Sequence, residues 1–318
     1  MNRASGIEHL KPFFPGLEGI LDNLEVSELM INGPGNVWIE KAGRLTPHEA
    51  PSLDASTLRR AAIHIARPLG LDPVAHPIID ARLADGSRVA ICVPPASPEV
   101  AITVRRFGGR AFSAQDLVRQ GALPGKVFRS AQDVLRGRRN ILVSGGTGSG
   151  KTTLLNALVE LLPRDERIVT IEDTLELRIE RSNCLRFEAG QLEEGAVTIR
   201  DLVRHALRHR PDHIVVGEVR GGEAADLLQA LNTGHGGSLT TVHANNATSA
   251  LSRLASCAMQ AGGAIPWDVT CRSVVDGIAM VIHMTRREGR RFVEEALFVN
   301  DYEPGENRWL TTPIWEES

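Results

Sequence analysis

Eight residues near the middle of the chain, Gly145-Gly146-Thr147-Gly148-Ser149-Gly150-Lys151-Thr152, fit the spacing G-x-x-x-x-G-K-[ST]. An apolar run at 141–144 precedes them and helical spacing over 152–162 follows. Glycines let such a loop bend until successive backbone N–H groups point inward at phosphate oxygens. The helix that follows adds its positive N-terminal end. In this reading Lys151 reaches the β- and γ-phosphates and the Thr152 hydroxyl ligates Mg²⁺. Gly146, Thr147, Gly148, Ser149, Gly150 and Thr153 complete the cradle. A strand–loop–helix junction of this kind implies a parallel α/β sheet with a nucleotide at its edge.

The surrounding pattern agrees. Strands are predicted over 141–144, 167–171, 213–217 and 238–243, and helices over 152–162, 199–210, 223–232 and 247–260. That alternation specifies a doubly wound, mostly parallel sheet, fold class α/β. Two further strands, 277–284 and 292–300, and a short tail close it. The first third reads differently. Segments 28–31 and 37–40 flank Gly33-Pro34-Gly35-Asn36, and 78–83 and 88–93 flank Asp85-Gly86-Ser87, two hairpin signals. A helix over 58–69 and a strand over 100–106 complete a smaller α+β domain. Helices over 113–120 and 124–136 then lead into the sheet. A chain of 318 residues suits two domains, here 1–108 and 109–318.

Composition narrows the class. Apolar residues make up 42% and charged residues 24%, an ordinary globular balance. The net charge of −3 carries no nucleic-acid signature, although residues 101–140 hold nine Lys or Arg against Asp116 and Asp133. No apolar run is long enough to span a bilayer and the N-terminus has no signal-peptide pattern, so a cytosolic location is expected. Cys92, Cys184, Cys257 and Cys271 form no C-x-x-C pair and read as small core residues.

Two acidic elements accompany the loop. The apolar run 213–217 ends in Glu218, which is positioned to polarise an attacking water or to hold Mg²⁺ through water. Many P-loop enzymes place Asp before that Glu; here the position is Gly217. Ile171-Glu172-Asp173 follows a second apolar strand, expected beside the P-loop strand. Glu172 is then a second candidate base and Asp173 its supporting partner; spacing alone does not choose between Glu172 and Glu218. Thr233 to Gly237 form a polar loop, and His243 ends the next strand, expected near the same edge. His235 and His243 either sense phosphate or the catalytic carboxylate, or merely cap a helix and a strand. His205 and His209, four apart on a helix, lack a third ligand for a metal site. Arg136, Arg138 and Arg139 lack interleaved aromatics and read as a solvated helix end.

These motifs together resemble the secretion and traffic ATPases of type II and type IV systems, and among them the conjugal-transfer branch of type IV secretion. The resemblance runs over nearly the whole chain from about Ser27. Gly145 to Thr152 matches the family's Walker A, Thr170-Ile171-Glu172-Asp173 its Asp box, and Val215-Val216-Gly217-Glu218-Val219-Arg220 its variant Walker B. Thr233 to Asn245 matches its His box. The segment from Ile79 to Val89 and the run Val104-Arg105-Arg106-Phe107 match its N-terminal domain. The resemblance implies a RecA-like core that hydrolyses Mg-ATP, and a ring-shaped homohexamer acting with inner-membrane secretion or conjugation components. It also implies peripheral contact with the cytoplasmic face of the bacterial inner membrane and no sequence-specific nucleic-acid binding. Nucleotide at domain and subunit interfaces makes Arg82, Arg88 and Arg105 candidates for reaching the γ-phosphate, with Arg88 and Arg105 preferred. Alternatives are a tight-adherence or type II-like pilus-assembly ATPase, a nucleic-acid translocase and a nucleotide-dependent scaffold.

Overall fold

The computed structural model describes residues 6–41, 43–107, 112–190, 196–263 and 265–317. The chain divides into two units, Met1–Arg110 and Ala111–Ser318. The boundary expected between residues 108 and 109 lies outside the described residues, as do the first five residues of the N-terminus.

The first unit holds α1 (Glu18–Asp22), β1 (Val26–Asn32), β2 (Val37–Lys41), β3 (Arg44–His48), α2 (Ala55–Ala66), β4 (Ile78–Arg82), β5 (Arg88–Cys92) and β6 (Ala101–Arg105). The strands form one antiparallel sheet in the order β3-β2-β1-β6-β5-β4. Alternation sets its inner face: Val89, Ile91, Ile102 and Val104 are buried while their neighbours are not. Against that face α2 lays Leu58, Ala61, Ala62 and Ile65, the spacing of one helical stripe. Asp54 starts α2 by accepting the Thr57 N–H at 2.7 Å. At the β4–β5 turn Gly86 has φ +88°, and a Cβ there would stand 2.6 Å from the Phe107 ring. Strand β3 is absent from the sequence reading because it is an exposed edge that contains Pro47, which weakens any strand signal.

The second unit runs α3 (Ala114–Arg119), α4 (Gly125–Arg136), β7 (Ile141–Gly145), α5 (Lys151–Val159), β8 (Ile168–Glu172), β9 (Cys184–Glu188), α6 (Ile199–Ala206), β10 (His213–Val219), α7 (Glu223–Leu231) and β11 (Leu239–Val242). It continues through α8 (Ala247–Met259), α9 (Trp267–Gly277), β12 (Met280–Arg287), β13 (Arg290–Glu303) and β14 (Arg308–Glu316). Its eight-stranded sheet has the order β14-β13-β12-β7-β11-β10-β8-β9. The six strands from β12 to β9 are parallel, and β13 and β14 add antiparallel to their edge. Each central strand is buried on both sides. Ile141 and Val143 pack with Leu154, Leu155 and Leu158 of α5, while Leu142 faces the opposite core with Ile214, Val216 and helices α6 to α9. Fully burying one such side chain is worth about 1.5–3 kcal/mol, so the strand that presents the loop is held from two sides.

Three expectations need correction. Strand β8 does not lie beside β7; β11 and β10 stand between them. The chain closes with three strands rather than two, since β14 pairs with β13 along most of its length. Its alternation is interrupted by polar Thr311 and Thr312 and by Pro313, which hid it. The helix α9 was missed as well, between a glycine pair and the first closing strand. Of the four cysteines, Cys257 and Cys271 are core residues, whereas Cys92 and Cys184 are only half-buried.

Candidate functional site

Strand β7 delivers its last residue, Gly145, to the carboxyl edge of the sheet, and α5 starts six residues later at Lys151. Gly150 precedes the helix with φ +99° and no side chain caps it. The first-turn N–H groups of α5 are therefore presented to the loop interior. Lys151 is buried at 7% exposure, and its ammonium donates to the carbonyls of Gly145 at 3.0 Å and Gly146 at 2.9 Å. Burial pushes its pKa down from the usual value, and Glu218 opposes that shift. Ser149 is buried too, and its Oγ finds no partner among the described residues. An uncapped helix end, an inward ammonium and an orphaned hydroxyl together suit a polyanion. Thr152 is half-buried in the first turn; Gly146, Thr147 and Thr153 are exposed.

From Lys151 a polar chain runs across the edge. Its Nζ lies 3.3 Å from His243 Nδ1, and His243 Nε2 lies 3.1 Å from Glu218 Oε1. The ammonium can only donate, so Nδ1 accepts and Nε2 carries the proton that reaches Glu218. Arg220 Nε donates to the same carboxylate oxygen at 2.7 Å, and its Nη1 donates to Asp173 Oδ2 at 2.7 Å. Lys151, His243, Glu218, Arg220 and Asp173 thus form one network that joins the start of α5 to the carboxyl ends of β11, β10 and β8. The sequence reading gave Arg220 no role. A signal existed: on a strand, residues two apart share a side, which puts Arg220 beside Glu218.

Glu172 behaves differently from its neighbour. Its side chain is turned inward at 2% exposure, and Oε1 accepts the N–H groups of Glu176 at 2.7 Å and Leu177 at 2.8 Å. Oε2 has no hydrogen-bond partner among the described residues, and Arg186 stands 4.0 Å away. Burial raises the carboxyl to about 7. The same side chain accounts for Gly217, because a Cβ at that position would stand 3.0 Å from Glu172 Cγ. An acid before Glu218 would have to displace the Glu172 side chain.

The two histidines do not share an edge. Strand β11 lies between them, and four residues at about 3.3 Å each separate its ends. His243 follows β11 at the carboxyl edge. His235 precedes it at the amino edge, where its Nδ1 meets the Ala230 carbonyl at 3.1 Å and its own carbonyl accepts from Ser238 Oγ at 2.7 Å. Within this chain His235 is not brought to the loop.

In the first unit, register sets Arg82 opposite Arg88, Arg88 opposite Arg105, and Arg105 opposite Glu28. Opposed residues point to one face, so the three arginines form a row across β4, β5 and β6. Arg105 Nε lies 3.4 Å from Glu28 Oε1. His205 and His209 meet Nε2 to Nε2 at 3.1 Å, and no group of three metal-ligating side chains occurs among the described residues. Arg138 pairs with Glu166, which also meets the buried His213.

A glycine-rich loop closing on a buried lysine, at the carboxyl edge of a parallel sheet with an acid two strands away, defines a P-loop nucleotide-binding protein. The model of the family described as type II/IV secretion system protein matches residues 16–300, and the chain belongs to that family of secretion ATPases. It is 36% identical to the type IV secretion system protein PtlH of Bordetella pertussis over 318 residues, covering 91% of this chain and 92% of the other. It is 33% identical to the conjugal transfer protein TrbB of Rhizobium radiobacter over 296 residues, covering 89% and 86%. The crystal structure of the VirB11 ATPase from the Brucella suis type IV secretion system, solved with sulphate, superposes with a TM-score of 0.51 at 28% identity, covering 92% and 94%.

Proposed function

We propose that this chain hydrolyses Mg-ATP and powers a type IV secretion or conjugal-transfer system as a homohexamer at the cytoplasmic face of the inner membrane. The observation that carries the reading is the chain of contacts from Lys151 through His243 to Glu218. It couples the residue that meets phosphate to the residue that meets water. The secretion and conjugation names of the relatives supply the system. The second unit is read as a RecA-like core (residues 109–318) and the first as the family's N-terminal domain (1–108). No helix among the described residues is long and apolar enough to cross a membrane, so the reading places the chain at the membrane through partners or a surface contact.

In this account the backbone N–H groups from Gly146 to Thr153 and the Lys151 ammonium bind the phosphates. The Thr152 hydroxyl and, through water, Glu218 would hold Mg²⁺. When bound, that ion neutralises charge on the phosphate oxygens. Glu218 rather than Glu172 orients the attacking water, because Glu218 ends in the polar network at the sheet edge whereas Glu172 is turned inward at 2% exposure. His243 reports on both partners: loss of the Lys151 contact frees Nδ1 and weakens the hold of Nε2 on Glu218. Asp173 fixes Arg220, which keeps Glu218 in place. Arg88 and Arg105, with Arg82 behind them, offer guanidiniums to the γ-phosphate from the same or a neighbouring subunit.

Light scattering with and without Mg-ATP, recorded with phosphate release, tests the proposal. A hexamer that hydrolyses ATP without DNA is expected. A monomer whose hydrolysis appears only with DNA would replace the secretion reading by a translocase.

A further inference from the structure

The β12–β13 hairpin forms a wall behind the phosphate loop, and nothing in the local sequence around Gly145 announces it. Met284 pairs with Gly145 in register, and a Cβ on Gly145 would stand 2.3 Å from the Met284 carbonyl oxygen. One residue earlier on each strand, His283 Nδ1 meets Ser144 Oγ at 2.9 Å. Across the hairpin turn, Arg291 Nε donates to the Gly148 carbonyl at 2.9 Å. Its methylenes also flank Gly150, where a Cβ would lie 3.5 Å from Arg291 Cδ. The hairpin therefore touches the loop at its start, its crown and its end.

We infer that Arg291 is a positioning residue for nucleotide binding, holding the crown of the phosphate loop in the shape that receives the phosphates. A trans peptide points its C=O and the following N–H in opposite directions. With the Gly148 carbonyl drawn outward to Arg291, the Ser149 N–H is turned into the loop, where it lies 3.4 Å from the Gly146 carbonyl. Gly148 sits at φ +69°, a residue without side-chain restraint, and within the loop the long Ser149-to-Gly146 contact is a weak hold on that peptide plane. A guanidinium supplies the restraint because it donates in a fixed plane and stays charged. The contact is made to the protein backbone on the outside of the loop, so Arg291 acts through the loop and not on the reacting atoms.

The inference rests on the reading that the loop binds nucleotide, and the test separates the two. ADP affinity by titration calorimetry and kcat and KM for ATP are measured on the wild type, Arg291→Ala, Arg291→Lys and Arg290→Ala. Arg290 lies on the same hairpin and bonds the Gly121 carbonyl at 3.2 Å, so its variant carries the same charge change away from Gly148. Expected for Arg291→Ala is about a tenfold rise in ADP Kd and in KM, which is about 1.4 kcal/mol, with kcat within twofold. Arg291→Lys, whose ammonium still donates, recovers part of the loss, and Arg290→Ala binds as the wild type does. Wild-type Kd and KM in a folded Arg291→Ala protein would overturn the inference, as would an equal loss in Arg290→Ala. If Arg291→Ala does not fold, Arg291→Lys decides: intermediate affinity with unchanged kcat supports the role, and wild-type affinity refutes it. A wild type that binds no ADP would instead sink the nucleotide reading.

Discussion

Lys151 makes its contacts with loop carbonyls, with His243 and, through it, with Glu218, so its ammonium is fixed at the loop's inner side. Lys151→Ala is expected to lower kcat/KM for ATP by about 100-fold or more, which phosphate-release kinetics will show directly. Arg220→Ala releases Glu218 on one side and Asp173 on the other; about a tenfold fall in kcat with little change in KM is expected. Glu172 carries the pH prediction. Its carboxyl, usually near 4.5, is raised to about 7 in the folded chain, so the folded state holds that proton more tightly than the unfolded state does. The associated stability is complete below about 4.5 and is lost as pH climbs toward 7. Glu172→Gln keeps an oxygen for the N–H groups of Glu176 and Leu177 and has no proton to lose. Denaturant unfolding should find the variant more stable than the wild type at pH 8, by an order-of-magnitude limit of about 3 kcal/mol, with the difference shrinking toward pH 4.5. An unchanged difference across that range would refute the assignment.

The elements explain why some of this was readable in the sequence and some was not. The junction of β7, the glycine loop and α5 is local, so eight consecutive residues sufficed to place it. The strands that carry Glu172 and Glu218 are mostly apolar runs, and their ends were found within two residues. What spacing could not supply was order. The sequence sets β8 soon after α5, yet the sheet puts β11 and β10 between β8 and β7. For the same reason His235 and His243, eight residues apart, looked like neighbours although a strand's length divides them. Contacts such as Arg291 to Gly148 and His283 to Ser144 join residues that are 143 and 139 positions apart, beyond any local pattern. Gly217 was legible only as a departure; the structure gives its cause in the Glu172 side chain. Gly217→Ala should therefore cost about 1–3 kcal/mol in denaturant unfolding, because Glu172 Cγ stands 3.0 Å from the new Cβ. In a Glu172→Ala background, which lacks that carbon, the added cost of Gly217→Ala should largely vanish, although Glu172→Ala itself destabilises by leaving two N–H groups without their acceptor.

On the scale of the whole molecule, the P-loop sheet and the arginine row belong to separate units of the chain. Each is complete in itself: the sheet holds its own lysine, acid and histidine, and the row Arg82, Arg88 and Arg105 is set by strand register alone. If a guanidinium of the row stabilises γ-phosphate, Arg88→Ala should lower ATP turnover and its cooperativity while leaving ADP affinity within about threefold. Full activity with normal cooperativity would remove Arg88 from the mechanism and leave the P-loop account intact. The central claim is that Glu218, held by His243 and Arg220, directs water at a phosphate bound by Lys151. Phosphate release by Glu218→Gln at saturating ATP tests it most directly, with ADP binding measured on the same protein. The account predicts turnover slowed by about 100-fold or more, with ADP affinity retained. Hydrolysis by the variant at the wild-type rate would contradict it.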